Sequence, residues 1–154
     1  MLFKKKFEQT AGAIHYPERI IIETRNVIDK YSFYSTDDIT ILNTDISDTA
    51  LAEAVMLHLS HSKMEANYSR ELYKSYLKKA GFRSEAASRK DAKYLAIFRT
   101  NAVIRFEPRN NKISGGRMGA YYGMPDKISE ISITADAEAL GLAVRKSWDD
   151  CIFS

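Results

Sequence analysis

Along these 154 residues the apolar positions change period several times, and each change marks an element. Glu18–Thr24 carries Ile20, Ile21 and Ile22 in a row and predicts a strand. Asp38–Leu42 alternates Ile39, Thr40 and Ile41, a short strand with one apolar face. The period then turns helical. Leu51, Ala54, Val55, His58 and Leu59 follow i, i+3, i+4, i+7, i+8 spacing and predict a helix over about 48–61. Ser47 is its N-cap, and Asp48 adds negative charge to the first turn. A second helix starts at Asn67 or Ser69, turns Leu72, Tyr73, Tyr76, Leu77 and Ala80 inward, and stops at Gly81 after Lys78 and Lys79.

Lys93–Arg99 and Ala102–Glu107 are strand-like runs joined by a tight turn at Thr100-Asn101, with Pro108–Asn111 ending the second. Gly115, Gly116 and the stretch Gly119–Gly123 make a glycine-rich loop. Ser129–Thr134 alternates again around Ile131 and Ile133 and predicts a further strand. Thr134 or Asp136 caps a last helix over about 136–149, with Leu140, Val144 and Trp148 inward. Gly141 inside that helix costs about 1 kcal/mol relative to Ala, which a close approach of the helix to the sheet explains. The order predicts an α+β fold: a single domain over 1–154, mainly an antiparallel β-sheet with about three helices packed on it.

Composition adds little to this pattern. The chain is long enough to bury a core without disulfides. The single Cys151 fits a reducing compartment. No apolar run is long enough to span a membrane, and Glu8, Gln9 and Thr10 follow the basic start where a signal peptide needs apolar residues. A cytoplasmic protein is expected.

Charge changes the picture more. The net charge is only +3, yet it is strongly segregated. Between residues 31 and 62 stand Asp37, Asp38, Asp45, Asp48 and Glu53, with no Lys or Arg. From Lys63 to Arg117, fourteen basic residues face five acidic ones. Such segregation steers an approaching macromolecule and says nothing about fold.

Candidate chemistry is sparse. His58 and His61 stand at i, i+3 on one helix, but a metal site needs a third ligand, from His15 or an Asp elsewhere, and His58 falls on the apolar stripe as a core histidine would. Asp149 and Asp150 beside Cys151 raise a thiol's pKa, the wrong direction for a nucleophile, so a buried structural Cys is expected. Ser114–Gly119 lacks the Gly-Lys-Ser/Thr ending of a phosphate loop. Turn and cap chemistry accounts for Asp37, Asp38, Asp45 and Asp48 without acid–base catalysis. Neither an enzyme nor a cofactor is indicated. Basic residues interleaved with Tyr73, Tyr76, Tyr94, Phe98 and Phe106 also occur on single-strand nucleic-acid binders, although here the aromatics take the inward positions.

Three stretches resemble the contact-dependent growth inhibition (CDI) immunity proteins. One is Leu51-Ala52-Glu53-Ala54 leading to Leu59–Lys63; another is Tyr73 and Tyr76 before Gly81-Phe82. The third runs from Ile131-Ser132-Ile133 through Glu138 and Leu140–Arg145 to Cys151. The resemblance covers roughly 40–152. Ser84–Ala92 is richer in Ala, Ser and Lys, and the Gly119–Gly123 loop carries tyrosines in place of a tryptophan. It implies an antitoxin that binds the C-terminal toxin domain of a large cell-surface protein, with no catalytic residues of its own. Many such toxins cleave RNA. The expected interface is then the acidic set Asp37, Asp38, Asp45, Asp48 and Glu53, mimicking phosphate, with Tyr121 and Tyr122 as contact aromatics. The alternative is an RNA- or single-strand-binding module that uses the basic 63–117 segment, around Arg70, Lys74, Lys78 and Arg83.

Overall fold

In the computed structural model, which describes residues 7–30, 32–111 and 122–153, the chain opens on an antiparallel meander. Strands β1 (Gln9–His15), β2 (Ile20–Asp29) and β3 (Ser32–Leu42) pair in succession. Helices α1 (Asp48–His61), α2 (Arg70–Ala80) and the short α3 (Glu85–Arg89) follow, and β4 (Lys93–Arg99) returns beside β1. β5 (Val103–Asn110) folds back on β4. Its outer edge takes β6 (Tyr122–Gly123) at one end and β7 (Ser129–Ser132) at the other. Helix α4 (Ala137–Asp149) follows β7. The sheet runs β3-β2-β1-β4-β5, with every strand pair antiparallel.

The expected α+β architecture is therefore borne out, with four α-helices among the described residues. The unanticipated one is the five-residue α3, started by the Ala87 N–H donating to Ser84 Oγ. The other caps act as expected. Ser47, Ser69 and Asp136 each accept a first-turn N–H, and Gly81 takes the left-handed conformation, φ 82°, that ends α2.

Side-chain alternation puts a core on each face of the sheet. On one face Ala11, Ala13, Ile20, Ile22, Leu95 and Ile97 pack against α1 and α4. On the other, Ile14, Ile21, Tyr94, Ala96 and Phe98 meet Tyr76 and Ala80 of α2. Burial on both faces is why Ile20–Ile22 and Tyr94–Phe98 read as unbroken apolar runs.

One strand was not anticipated, and two expectations need correction. β1 lacks the β-branched run that marks a strand. It is nonetheless the central strand, between β2 and β4, and its small residues let those neighbours fold over it. A Cβ on Gly12 would lie 2.6 Å from the Tyr94 hydroxyl and 2.8 Å from Glu23 Cγ. Strands β2, β3 and β5 also run further than their apolar cores. β2 continues through Arg25 and Asn26 across irregular register with β3, and β5 carries through Pro108. Finally, Gly141 marks a close approach not to the sheet but to α1, where its Cβ would fall 2.1 Å from the Asp48 carbonyl oxygen.

Candidate partner-binding surface

Asp37 and Asp38 are neighbours on β3, an edge strand, so their side chains point to opposite faces of the sheet. Asp37 turns towards α2. Ser75 Oγ donates to its Oδ2 at 2.7 Å and Lys79 Nζ at 3.1 Å. The Ser75 hydrogen bond, with Lys79, holds its carboxyl below the ordinary range against the opposing effect of burial. Asp38 turns towards α1. Its Oδ2 accepts from Thr24 Oγ1 at 2.6 Å and lies 2.8 Å from His61 Nδ1 and 3.7 Å from His58 Nδ1. Burial pushes this carboxyl up, but the bonds from Thr24 and His61 outweigh it and the pKa is lowered.

Asp48 serves structure. Arg145 Nε on α4 donates to its Oδ1 at 2.7 Å, while the same guanidinium donates to the carbonyls of Thr44 and Ile46. This clamp joins α4 to the β3–α1 turn. Arg145→Ala is expected to cost about 1–3 kcal/mol, since it strands partly buried acceptors, and a urea melt reads the loss directly.

Asp45 and Glu53 are exposed. Tyr121 lies outside the described residues, and Tyr122 enters only through its pairing with Asn110. The acidic block is therefore not one patch. Asp38 faces α1 and Asp37 faces α2, while Glu53 is exposed on α1 and Asp45 in the turn before it. Glu53, Leu57 and His61 follow at i, i+4 and i+8 along the outer stripe of α1, and Leu57 is 49 % exposed.

Part of the basic block is taken up in ion pairs. Arg89 pairs with Glu85, Arg105 with Glu8 and Glu107, Arg109 with Glu107, and Lys79 with Asp37. Tyr76, Tyr94, Phe98 and Phe106 are core residues. Arg70, Lys74, Lys78 and Arg83, the residues of the nucleic-acid alternative, are exposed on α2 and just after it.

A cavity on the α2 side of the sheet has no local signal in the sequence. About 370 Å³ in volume, it is lined by Glu23, Arg25, Tyr34, Tyr73, Tyr76 and Tyr94 among others. Glu23 is 1 % exposed and accepts from the Tyr94 hydroxyl at 3.1 Å. Arg25 stacks on Phe33, its guanidinium carbon 5.0 Å from the ring centre, with a buried Nη1 that finds no hydrogen-bond partner. Burial raises the Glu23 pKa, and bonds from Ser35, Tyr94 and Tyr76 with the charge of Arg25 only partly offset it. A native pKa above the unfolded one means the folded state holds the proton more tightly. Stability contributed by protonated Glu23 is present in acid and falls as pH rises from the ordinary carboxylate pKa through the raised native value. Denaturation midpoints of the native chain should decline over that window more than those of Glu23→Gln. Parallel curves would contradict a buried, proton-holding Glu23.

His58 is 1 % exposed, with Nδ1 2.8 Å from Thr24 Oγ1 and Nε2 2.7 Å from Thr40 Oγ1, so the core histidine is borne out. Cys151 is buried too, its thiol pushed up to about 11 chiefly by burial, and its Sγ donates to the Tyr94 carbonyl at 3.3 Å. It is no nucleophile. No helix among the described residues is long and apolar enough to cross a membrane.

The chain matches the family model described as CdiI, CDI immunity protein, over residues 9–151, and it belongs to that family. No curated protein matches it. Among solved structures it resembles a protein of unknown function, NMB0488, from Neisseria meningitidis, with a TM-score of 0.78 and 17 % identity over 98 % of this chain and 99 % of that one. It also resembles a chain of the CdiA-CT/CdiI toxin and immunity complex from Yersinia pseudotuberculosis, with a TM-score of 0.76 and 17 % identity over 94 % and 97 %. At that identity the two structures speak for the fold.

Proposed function

We propose that this chain is the cytoplasmic antitoxin for one CDI toxin, which it neutralises stoichiometrically by binding the toxin's C-terminal domain. Membership of the CDI immunity family over residues 9–151 carries the reading. The Yersinia pseudotuberculosis neighbour, solved in a toxin and immunity complex, supports it. The toxin is a nuclease, and its substrate cleft is basic because it must hold phosphates. The docking surface is the α1 side, where Asp38, Asp45 and Glu53 stand in for phosphate charge around Leu57. The test is co-expression with the toxin domain of the adjacent large surface-protein gene. Protection of growth and a one-to-one complex by calorimetry are expected. Unprotected cells together with no measurable complex would overturn the proposal.

A further inference from the structure

Two histidines of α1 and one aspartate of β3 converge where the helix ends. A ring nitrogen of His58, one of His61 and an Asp38 carboxylate oxygen all lie within 4.8 Å of one another, the one such cluster of potential metal ligands among the described residues. A tetrahedral zinc ion with ligands at about 2.0–2.1 Å separates its donor atoms by about 3.3 Å. The observed 2.8 Å from Asp38 to His61 and 3.7 Å from Asp38 to His58 bracket that spacing.

The supporting contacts are those a metal site needs. Thr40 Oγ1 at 2.7 Å engages His58 Nε2 and orients the buried ring, whose Nδ1 lies 2.8 Å from Thr24 Oγ1 and 3.7 Å from Asp38 Oδ2. Thr24 Oγ1 donates to Asp38 Oδ2 at 2.6 Å and fixes the carboxylate. Asp38 and His61 are 46 % and 45 % exposed, so an ion reaches the cluster from solvent and keeps room for water in its remaining position. Neutral imidazole and carboxylate together suit zinc and its first-row neighbours better than calcium or magnesium.

We propose that Asp38, His58 and His61 form a site for a divalent transition-metal ion, Zn²⁺ foremost, that clips β3 to the C-terminal end of α1. The ion takes the place of the His61–Asp38 hydrogen bond and of the one between His58 Nδ1 and Thr24 Oγ1. His58 then carries its proton on Nε2, towards Thr40.

The site shares Asp38 with the proposed docking surface, but its test needs no toxin and so fails or succeeds independently of the immunity reading. Untagged full-length protein is titrated with Zn²⁺ in competition with a chromogenic chelator. One bound equivalent is expected, with a loss of at least about tenfold in affinity in His61→Ala and again in Asp38→Asn. His15→Ala should bind as the native chain does. Zn²⁺ should raise the melting temperature of the native chain and leave that of His61→Ala unmoved. Both variants change partly exposed side chains, and a circular dichroism spectrum confirms that they fold. No uptake of Zn²⁺, or uptake that neither substitution weakens, would overturn the site and leave only a hydrogen-bonded triad.

Discussion

Replacing Gly141 with Ala should destabilise the protein by about 2–4 kcal/mol, a drop of roughly 5–15 °C in melting temperature. At an exposed helical position the same change is stabilising by about 1 kcal/mol, because Ala is the better helix former. The crossing of α4 over α1 reverses the sign. A Cβ at Gly141 would sit 2.1 Å from the Asp48 carbonyl oxygen, 2.6 Å from its carbon and 2.7 Å from its Cα. These are backbone atoms in the capped first turn of α1, and they have no rotamer to escape into. The helices must separate. Separation strains the Arg145–Asp48 clamp and the hydrogen bond from Trp148 Nε1 to the Ala13 carbonyl, 3.0 Å long in the sheet's central strand. Thermal melts of the native and Gly141→Ala chains decide the matter. An unchanged or raised melting temperature would mean that α1 and α4 do not cross at this glycine.

Elements whose determinants are local were legible in the sequence. Helix α1 was readable to its ends because Ser47 caps it and its stripe keeps a 3.6-residue period, and α2 because Ser69 and Gly81 bracket it. Strand β4 announced itself by burial on both faces. β1 did not, because its small residues answer to the strands beside it and not to strand propensity.

The site divides along the same line. Asp37 and Asp38 look like one acidic patch in a linear chain, and only strand alternation sends one to α2 and the other to α1. Arg145 lies 97 residues from Asp48, and no local signal links them. The i, i+3 histidines were visible as half a metal site. Their third group, Asp38, comes through the antiparallel register that brings Thr24 and Thr40 against His58.

Removing the α1-side charge should slow association with the toxin by about one to three orders of magnitude at low salt. Asp45→Lys with Glu53→Lys reverses two exposed charges, and Asp38→Asn neutralises the third without placing a cation beside His58. The effect belongs in the association rate, because long-range attraction acts before contact. The salt dependence of that rate should flatten along with it, since screening has less attraction left to weaken. Asp37→Asn is the internal control. Its carboxylate lies across the sheet with Ser75 and Lys79, so the rate should stay near the native value. Leu57→Ala separates steering from adhesion: loss of an apolar side chain from the proposed docking surface should speed dissociation and leave association nearly unchanged. Stopped-flow mixing with the toxin domain across a salt series reads all four at once. Native association rates in the charge variant would move the docking surface away from α1 and leave the immunity assignment intact. A slow Asp37→Asn variant would instead place the toxin on the α2 side, over the cavity that holds Glu23 and Arg25.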